Sequence, residues 1–228
     1  GAFDKGNKGH GILLDSGTSN TAIGGENSGA RNWIGWNLQN GIHISGSGTS
    51  NNFVINNVIG APTNWKWEAP NGHHGIGIYD QASSNTIGGL GGGNIILSSG
   101  WSGVAVVGSN NNSVLGNRIG TDGSAINWGN NFFGINVLNS SGNTISYNEV
   151  AWNGDAGNSA GVAIDGATAS GNQIRGNSIH DNQGKGIELV NGANNGISAP
   201  VLSRNGNTVS GTACNGCTIE FFTDDQNE

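Results

Sequence analysis

The chain has 228 residues, of which only 10% are charged, and a formal net charge of −7. Its eight lysines and arginines form no basic cluster, which argues against nucleic acid and anionic membranes as partners. The sequence also contains no apolar run of about 18 residues that could span a bilayer. A surface low in charge and rich in Asn, Ser, Thr, Gly and Trp favours a secreted protein, extracellular or at the cell surface.

One tetrapeptide, Gly-aliphatic-x-aliphatic, recurs every 25 to 34 residues along the chain. Its copies begin at Gly11, Gly41, Gly75, Gly103, Gly134, Gly161 and Gly186. Between successive copies lie two shorter signals of the form Asn-x-(Ile/Val), for example at residues 143–145 and 148–150. Because apolar and polar residues alternate with a period of two, each repeat is predicted to contain three short strands.

Strands this short bury too little apolar surface on their own, so the repeats must stack. Stacking would place one aliphatic residue of each strand in an inward column. The first column would hold Ile12, Ile42, Ile76, Val104, Ile135, Val162 and Ile187; the second Val54, Ile87, Val114, Ile145 and Ile174; the third Ile34, Ile59, Ile96, Ile119, Val150 and Ile179. The pattern predicts an all-β, right-handed parallel β-helix of about seven coils over residues 1–196.

Asparagines recur at the start of each predicted third strand, where the chain must turn within about two residues. They are Asn32, Asn57, Asn94, Asn117, Asn148 and Asn177. Asparagine tolerates the left-handed backbone region, and its amide can bond the backbone or the asparagine one coil above. We therefore expect a ladder of asparagines along this corner. The 43 glycines are interpreted as turn residues rather than as a sign of disorder.

Residues 197–228 form a C-terminal extension without the repeat. Two alternating runs, 207–213 and 218–222, flank Cys214-Asn215-Gly216-Cys217, which predicts a hairpin with an Asn-Gly turn. Cys214 and Cys217 are interpreted as a structural disulfide or inert thiols, ahead of a redox pair or half of a zinc site. The extension either packs on the last coil or begins a further module.

The chain starts at Gly1 and contains no methionine, which we interpret as a mature product or an excised fragment. An open end of a β-helix leaves strand edges unpaired. We therefore expect the ends to be covered by further domains of a larger protein or by end-to-end self-association.

The sequences of residues 85–89 and 117–123, with the Gly-Ile-x-(Ile/Val) repeat, resemble the right-handed parallel β-helix repeat proteins of bacterial secreted and surface proteins. That group shares its fold with pectate lyases, polygalacturonases and alginate epimerases. In the relatives that act on polysaccharides, the loops from the third strand of one coil to the first strand of the next border the substrate cleft. The resemblance thus implies a site on that side, although its motifs specify a fold and no reaction.

Six tryptophans fall in these same connections, and Tyr79 lies at the far end of a strand of the first sheet. Indole rings suit the apolar faces and polar rims of sugars. The predicted sugar-binding residues are Trp36, Trp65, Trp67, Trp101, Trp128, Trp152 and Tyr79. The alternative is that the indoles fold over their own loops and cover the outside of the third sheet, since tryptophan is seldom left fully exposed.

Histidines and carboxylates gather in the first three repeats. His10 and His74 both precede the glycine of a repeat, and His43 is predicted to project outward between them. With Asp15 and Asp80 at the far ends of the same strands, they form a candidate general acid and base cluster. A second grouping holds Asp155, Asp165, His180, Asp181, Lys185 and Glu188. The alternative for both groups is solvated surface.

Three functions of different class fit these sequence features. The first is an extracellular module that binds a neutral or weakly charged polysaccharide along its tryptophan-lined face. The second is a structural, adhesive or filament-forming protein. The third is a glycoside hydrolase or, less favoured because cations that would neutralise a uronate are few, a lyase or epimerase. No motif predicts a cofactor, and calcium has no nonapeptide or alternating acidic repeat to bind it.

Overall fold

The computed structural model describes residues 6–124, 126–157, 159–198, 201–213 and 215. Within them the chain winds into a parallel β-helix built from three parallel sheets. The short segment α1 (Ala193–Gly196) is a distorted turn rather than a regular helix, because Asn194 and Asn195 have left-handed φ values of 50° and 60°. A 3₁₀ turn spans Ser28–Ala30. No helix in the described part of the chain has the length and apolar character needed to cross a membrane.

The first sheet has seven strands, one at the start of each coil. They are β1 (Ile12–Leu14), β4 (Ile42–Ser45), β7 (Ile76–Tyr79), β10 (Val104–Val107), β13 (Ile135–Leu138), β16 (Val162–Asp165) and β19 (Ile187–Val190). Coils are numbered here from one to seven after these strands.

The second and third sheets have six strands each. The second holds β2 (Ala22–Gly24), β5 (Phe53–Ile55), β8 (Thr86–Gly88), β11 (Ser113–Leu115), β14 (Thr144–Ser146) and β17 (Gln173–Arg175). The third holds β3 (Trp33–Ile34), β6 (Val58–Ile59), β9 (Ile95–Ile96), β12 (Arg118–Ile119), β15 (Glu149–Ala151) and β18 (Ser178–His180). The described residues thus form six complete coils and the first strand of a seventh, because the chain turns into α1 after β19.

The strand register confirms the three predicted aliphatic columns. In the first sheet Ile76 pairs with Val104 and Val104 with Ile135, and all three side chains are fully buried. The second sheet adds Ile23 to its column, paired with Val54. Each coil alone would bury little apolar surface. The stacked columns form one continuous core over a rod about 30 Å long.

The asparagine ladder at the third-strand corner is also confirmed. The Asn117 Nδ2 group donates to Oδ1 of Asn148 at 3.0 Å, and the Asn117 Oδ1 accepts from Nδ2 of Asn94 at 2.9 Å. A comparable ladder runs along the second-sheet corner from Asn52 to Asn172. These side chains satisfy backbone groups that a tight, buried turn would otherwise leave without partners.

The described part of the C-terminal extension contains an antiparallel hairpin that the sequence analysis did not predict. Strand β20 (Val201–Asn205) pairs with β21 (Thr208–Thr212) across a turn at Gly206 and Asn207. Gly206 has a φ of +59°, which favours glycine, so the turn forms there. The predicted partner run 218–222, together with Cys214 and Cys217, lies outside the described residues.

Candidate functional site

An open cleft of about 730 Å³ runs along the outer face of the first sheet, from coil one to coil five. We call it the aromatic cleft. Its ring-bearing lining residues are His10, His43, His73, His74, Tyr79, Trp101, Phe132 and Phe133. The remaining lining is Gln39, Asn40, Ser102, Asn136, Val107 and Leu138, so no lysine, arginine, aspartate or glutamate is among the described lining residues.

The repeat itself places these rings side by side. His43 occupies an outward position of β4 and pairs in register with Gly77 of β7. The Tyr79 ring fills the space over Gly77, where any larger side chain would clash with it. Tyr79 therefore lies against His43, with ring centroids 4.8 Å apart and an interplanar angle of 22°.

The rings form a nearly continuous row along the rod axis. His10 stacks on His43 with centroids 4.2 Å apart, and His43 in turn stacks on Tyr79. Farther along, the Trp101 indole stacks on His73 at 5.1 Å and meets His74 edge to face at 5.3 Å. Because the His10, His43 and Tyr79 rings cover one another's faces, this end of the cleft offers ring edges to a ligand.

Hydrogen bonds between coils fix the buried side of the row. The Asn40 backbone N–H donates to His10 Nδ1 at 3.2 Å, and the Ser102 backbone N–H donates to His74 Nδ1 at 3.1 Å. Between them, the His74 backbone N–H donates to Asn40 Oδ1 at 3.1 Å. His10, Asn40, His74 and Ser102 each precede the glycine of a repeat. The same contact therefore recurs from coil one to coil four: the backbone N–H of each residue donates to the side chain of the equivalent residue one coil earlier.

These surroundings keep the imidazoles uncharged. Burial lowers the pKa of His74 from 6.5 to about 4, and burial also lowers the pKa of His10 and of His43. Burial raises the pKa of Tyr79, so its phenol keeps its proton. At neutral pH the His10, His43 and His74 imidazoles and the Tyr79 phenol of the aromatic cleft therefore carry no charge.

The two predicted carboxylates lie beside this cleft without lining it. Asp15 and Asp80 are exposed. Both act electrostatically on His43 in the direction of a higher pKa, but the burial of that imidazole outweighs them. The structure thus brings His10, His43, His74 and Tyr79 together and leaves both carboxylates at the edge.

The structure does not bring the tryptophans into a single row. Of the six predicted to bind sugar, Trp101 alone is among the described residues that line the aromatic cleft. Trp65 and Trp128 pack against Val58 and Leu97 on the outside of the third sheet, as the alternative interpretation expected. Trp36, Trp67 and Trp152 are 36%, 53% and 38% exposed, respectively, and lie outside the described cleft lining.

The second grouping separates into surface pairs. Lys185 Nζ lies 2.8 Å from Glu188 Oε1, and His180 Nδ1 lies 2.8 Å from Asp181 Oδ2. Asn191 Nδ2 donates to Asp165 Oδ1 at 2.7 Å, and Asp155 is exposed. These contacts are consistent with solvated surface.

The described residues contain no cluster of three or more His, Cys, Asp or Glu side chains arranged to hold a metal ion.

Sequence reasoning missed Asn40, Phe132 and Phe133, which line the aromatic cleft. A signal for two of them was available, because Asn40 and Phe133 precede the repeat glycine just as His10 and His74 do.

Comparison with known proteins agrees with this architecture. Residues 64–224 match the family model described as right handed beta helix region. The A-module of mannuronan C-5 epimerase AlgE4 from Azotobacter vinelandii gives a TM-score of 0.54 at 16% identity, over 81% of this chain and 53% of that chain. The match shows the fold, and this chain spans about half the length of that module.

Two structures of the periplasmic alginate epimerase AlgG, one of them a variant, are more distant. Their TM-scores are 0.46 and 0.39 at 19% and 16% identity. Each match covers 80% of this chain, and 41% and 47% of the respective AlgG chains. No curated protein sequence matches the chain.

Proposed function

Because the chain belongs to the right-handed β-helix family, whose fold by itself specifies no reaction, we propose that it binds a neutral polysaccharide along the aromatic cleft. The observation that carries this proposal is an open cleft without lysine, arginine, aspartate or glutamate in its described lining, in which ring edges and one half-exposed indole follow the rod axis over five coils. Sites of this composition suit sugars, which combine apolar C–H faces with polar rims.

The dimensions of the cleft support a linear ligand. Adjacent coils are about 4.8 Å apart, so the span from β1 to β13 is about 19 Å. That length accommodates a short oligosaccharide lying along the rod. An open groove also allows a longer chain to extend beyond both ends.

Within this cleft Trp101 is the principal anchor. Trp101 is 50% exposed even though its indole stacks on His73, whereas the His10, His43 and Tyr79 rings cover one another's faces. An amphipathic, rigid indole contributes a large contact area at low entropic cost. A sugar ring would therefore pack on Trp101 while its hydroxyls meet the imidazole and phenol edges.

The charge of the cleft favours a neutral glycan over a polyuronate. The matched module is named as part of a mannuronan C-5 epimerase, but the described lining residues of this cleft include no lysine or arginine to neutralise a sugar carboxylate. The exposed Asp15 and Asp80 at its edge would repel one. We also propose an extracellular or cell-surface location, which the low overall charge of the chain supports.

Catalysis is the second candidate, favoured by the grouping of His10, His43 and His74 with Tyr79. These groups could exchange protons with a bound sugar. Hydrolysis by a carboxylate pair is less supported, because Asp15 and Asp80 do not line the cleft. Binding is therefore placed ahead of catalysis.

Replacing Trp101 by alanine is expected to weaken the binding of a neutral oligosaccharide by about tenfold, because an exposed aromatic anchor is lost. The measurement is isothermal titration calorimetry with cello-, xylo- and manno-oligosaccharides. Trp67→Ala is the matched control, since Trp67 is 53% exposed but lies outside the cleft lining.

The control variant should bind as the wild type does. Equal losses in Trp101→Ala and Trp67→Ala would contradict binding in the aromatic cleft. If no neutral glycan binds the wild type, the proposed function fails and a structural or adhesive role takes its place.

A further inference from the structure

Asn40 occupies the centre of the aromatic cleft's buried side, and its side chain is 2% exposed. It contacts four of the surrounding groups. Its backbone N–H donates to His10 Nδ1 at 3.2 Å, and its Oδ1 accepts from the His74 backbone N–H at 3.1 Å. Its Nδ2 lies 3.0 Å from His43 Nδ1 and 3.4 Å from the Tyr79 hydroxyl. Asn40 therefore links three histidines and a tyrosine.

The orientation of the Asn40 amide follows from these contacts. A backbone N–H can only donate, so the amide atom that faces the His74 N–H must be the oxygen. The NH₂ group is thereby turned toward His43. Since an NH₂ group also only donates, His43 Nδ1 must act as an acceptor and carries no proton.

The same logic extends to the two flanking histidines. His10 Nδ1 and His74 Nδ1 each accept from a backbone N–H, so neither nitrogen carries a proton. In all three neutral rings the proton then lies on Nε2. Because Nδ1 already has a partner, Nε2 is the ring nitrogen left for a ligand. Each imidazole therefore offers the cleft an N–H donor.

We propose that Asn40 is a positioning residue that fixes the His43 tautomer, so that the aromatic cleft offers imidazole N–H donors and selects ligands through their acceptor oxygens. The ligand part of this inference rests on the proposed function, and it specifies how a neutral glycan is recognised. Hydroxyl and ring oxygens accept hydrogen bonds, whereas a ligand edge made only of donors would find no partner on these imidazoles.

The direct test is ¹⁵N NMR of the imidazoles in the wild-type protein at pH 7.5, which reads the tautomer without any ligand. The expected result is that His10, His43 and His74 all carry their proton on Nε2. A His43 ring protonated on Nδ1 would overturn the inference. This measurement needs no variant, so the His43 tautomer can be read even if substitutions impair folding.

The substitution Asn40→Asp tests the causal role of the amide. Aspartate keeps an oxygen for the His74 N–H but offers His43 only a second acceptor. His43 Nδ1 should therefore gain a proton, which the same NMR spectrum reports. The control is Tyr79→Phe, which leaves the Asn40 and His43 contact in place and should leave the His43 tautomer unchanged.

Glycan affinity separates this inference from the proposed function. In Asn40→Asp we expect neutral oligosaccharides to bind about tenfold more weakly, with Nδ1 of His43 protonated. An unchanged His43 tautomer in this variant overturns the positioning role. A changed tautomer with unchanged affinity overturns the selection through acceptor oxygens and leaves the proposed function standing. Absence of binding by the wild type defeats the proposed function, while the tautomer measurements still decide the role of Asn40.

Discussion

The variant Asn117→Ala is expected to lose about 4 kcal/mol of unfolding free energy. The side chain is buried, and its Nδ2 donates to the Ile87 carbonyl at 2.8 Å as well as to Asn148. Its Oδ1 accepts from both the backbone and the side-chain nitrogen of Asn94. Alanine would leave several of these buried groups without partners, at about 1 to 3 kcal/mol for each.

The loss is measured by urea denaturation at pH 7.5. The control is Asn110→Ala, because Asn110 is an exposed asparagine of the same coil whose Oδ1 also accepts one hydrogen bond from the next coil. The unfolding free energy that Asn110→Ala loses should stay below about 1 kcal/mol. Equal losses in the two variants would contradict a structural role for the buried ladder.

The second large expected effect is a loss of about 3 kcal/mol of unfolding free energy when the pH falls from 7 to 4, caused by protonation of His74. Burial lowers the pKa of this imidazole from 6.5 to about 4 in the folded protein. Between these two values the unfolded chain therefore binds more protons than the folded one. The stabilisation is complete above about pH 6.5 and is lost as the pH falls toward 4, at about 1.4 kcal/mol for each pKa unit.

The matched variant is His74→Asn. Asn40 occupies the equivalent position one coil earlier, and its Oδ1 accepts the corresponding backbone N–H of the next coil. Asparagine should thus retain the contact to Ser102 without titrating. We expect the urea stability of the variant to depend less on pH by about 3 kcal/mol between pH 7 and 4. Parallel pH profiles for the two proteins would show that His74 is protonated without cost to the fold.

The fold could be predicted from sequence because one physical pattern specifies it repeatedly. Each Gly-aliphatic-x-aliphatic copy supplies one inward residue, so the register that pairs Ile76 with Val104 follows from aligning the copies. The corner asparagines follow in the same way, since the turn chemistry recurs at the same place in each coil. The C-terminal pairing of β20 with β21 was missed because residues 201–205 lack a strict alternating pattern.

The site was only partly predictable, because contacts between coils depend on side-chain directions as well as on spacing. The position of His10 and His74 before a repeat glycine was sufficient to place them near each other. The directions of the tryptophan side chains could not be predicted from spacing. Trp65 and Trp128 lie in the same class of connection as Trp101 yet pack on the third sheet. Asn40 escaped notice because asparagine is so common in this chain that its identity carried no signal.

Binding of a neutral glycan in the aromatic cleft is tested most directly by NMR mapping of a titration with a neutral oligosaccharide. The spectra follow the indole N–H of every tryptophan and the imidazole nitrogens. We expect the largest shifts at Trp101 and at the histidines of the cleft, with small shifts at Trp65, Trp128 and Trp152. Shifts concentrated on those three tryptophans, or no shifts with any neutral oligosaccharide, would contradict the proposed binding site.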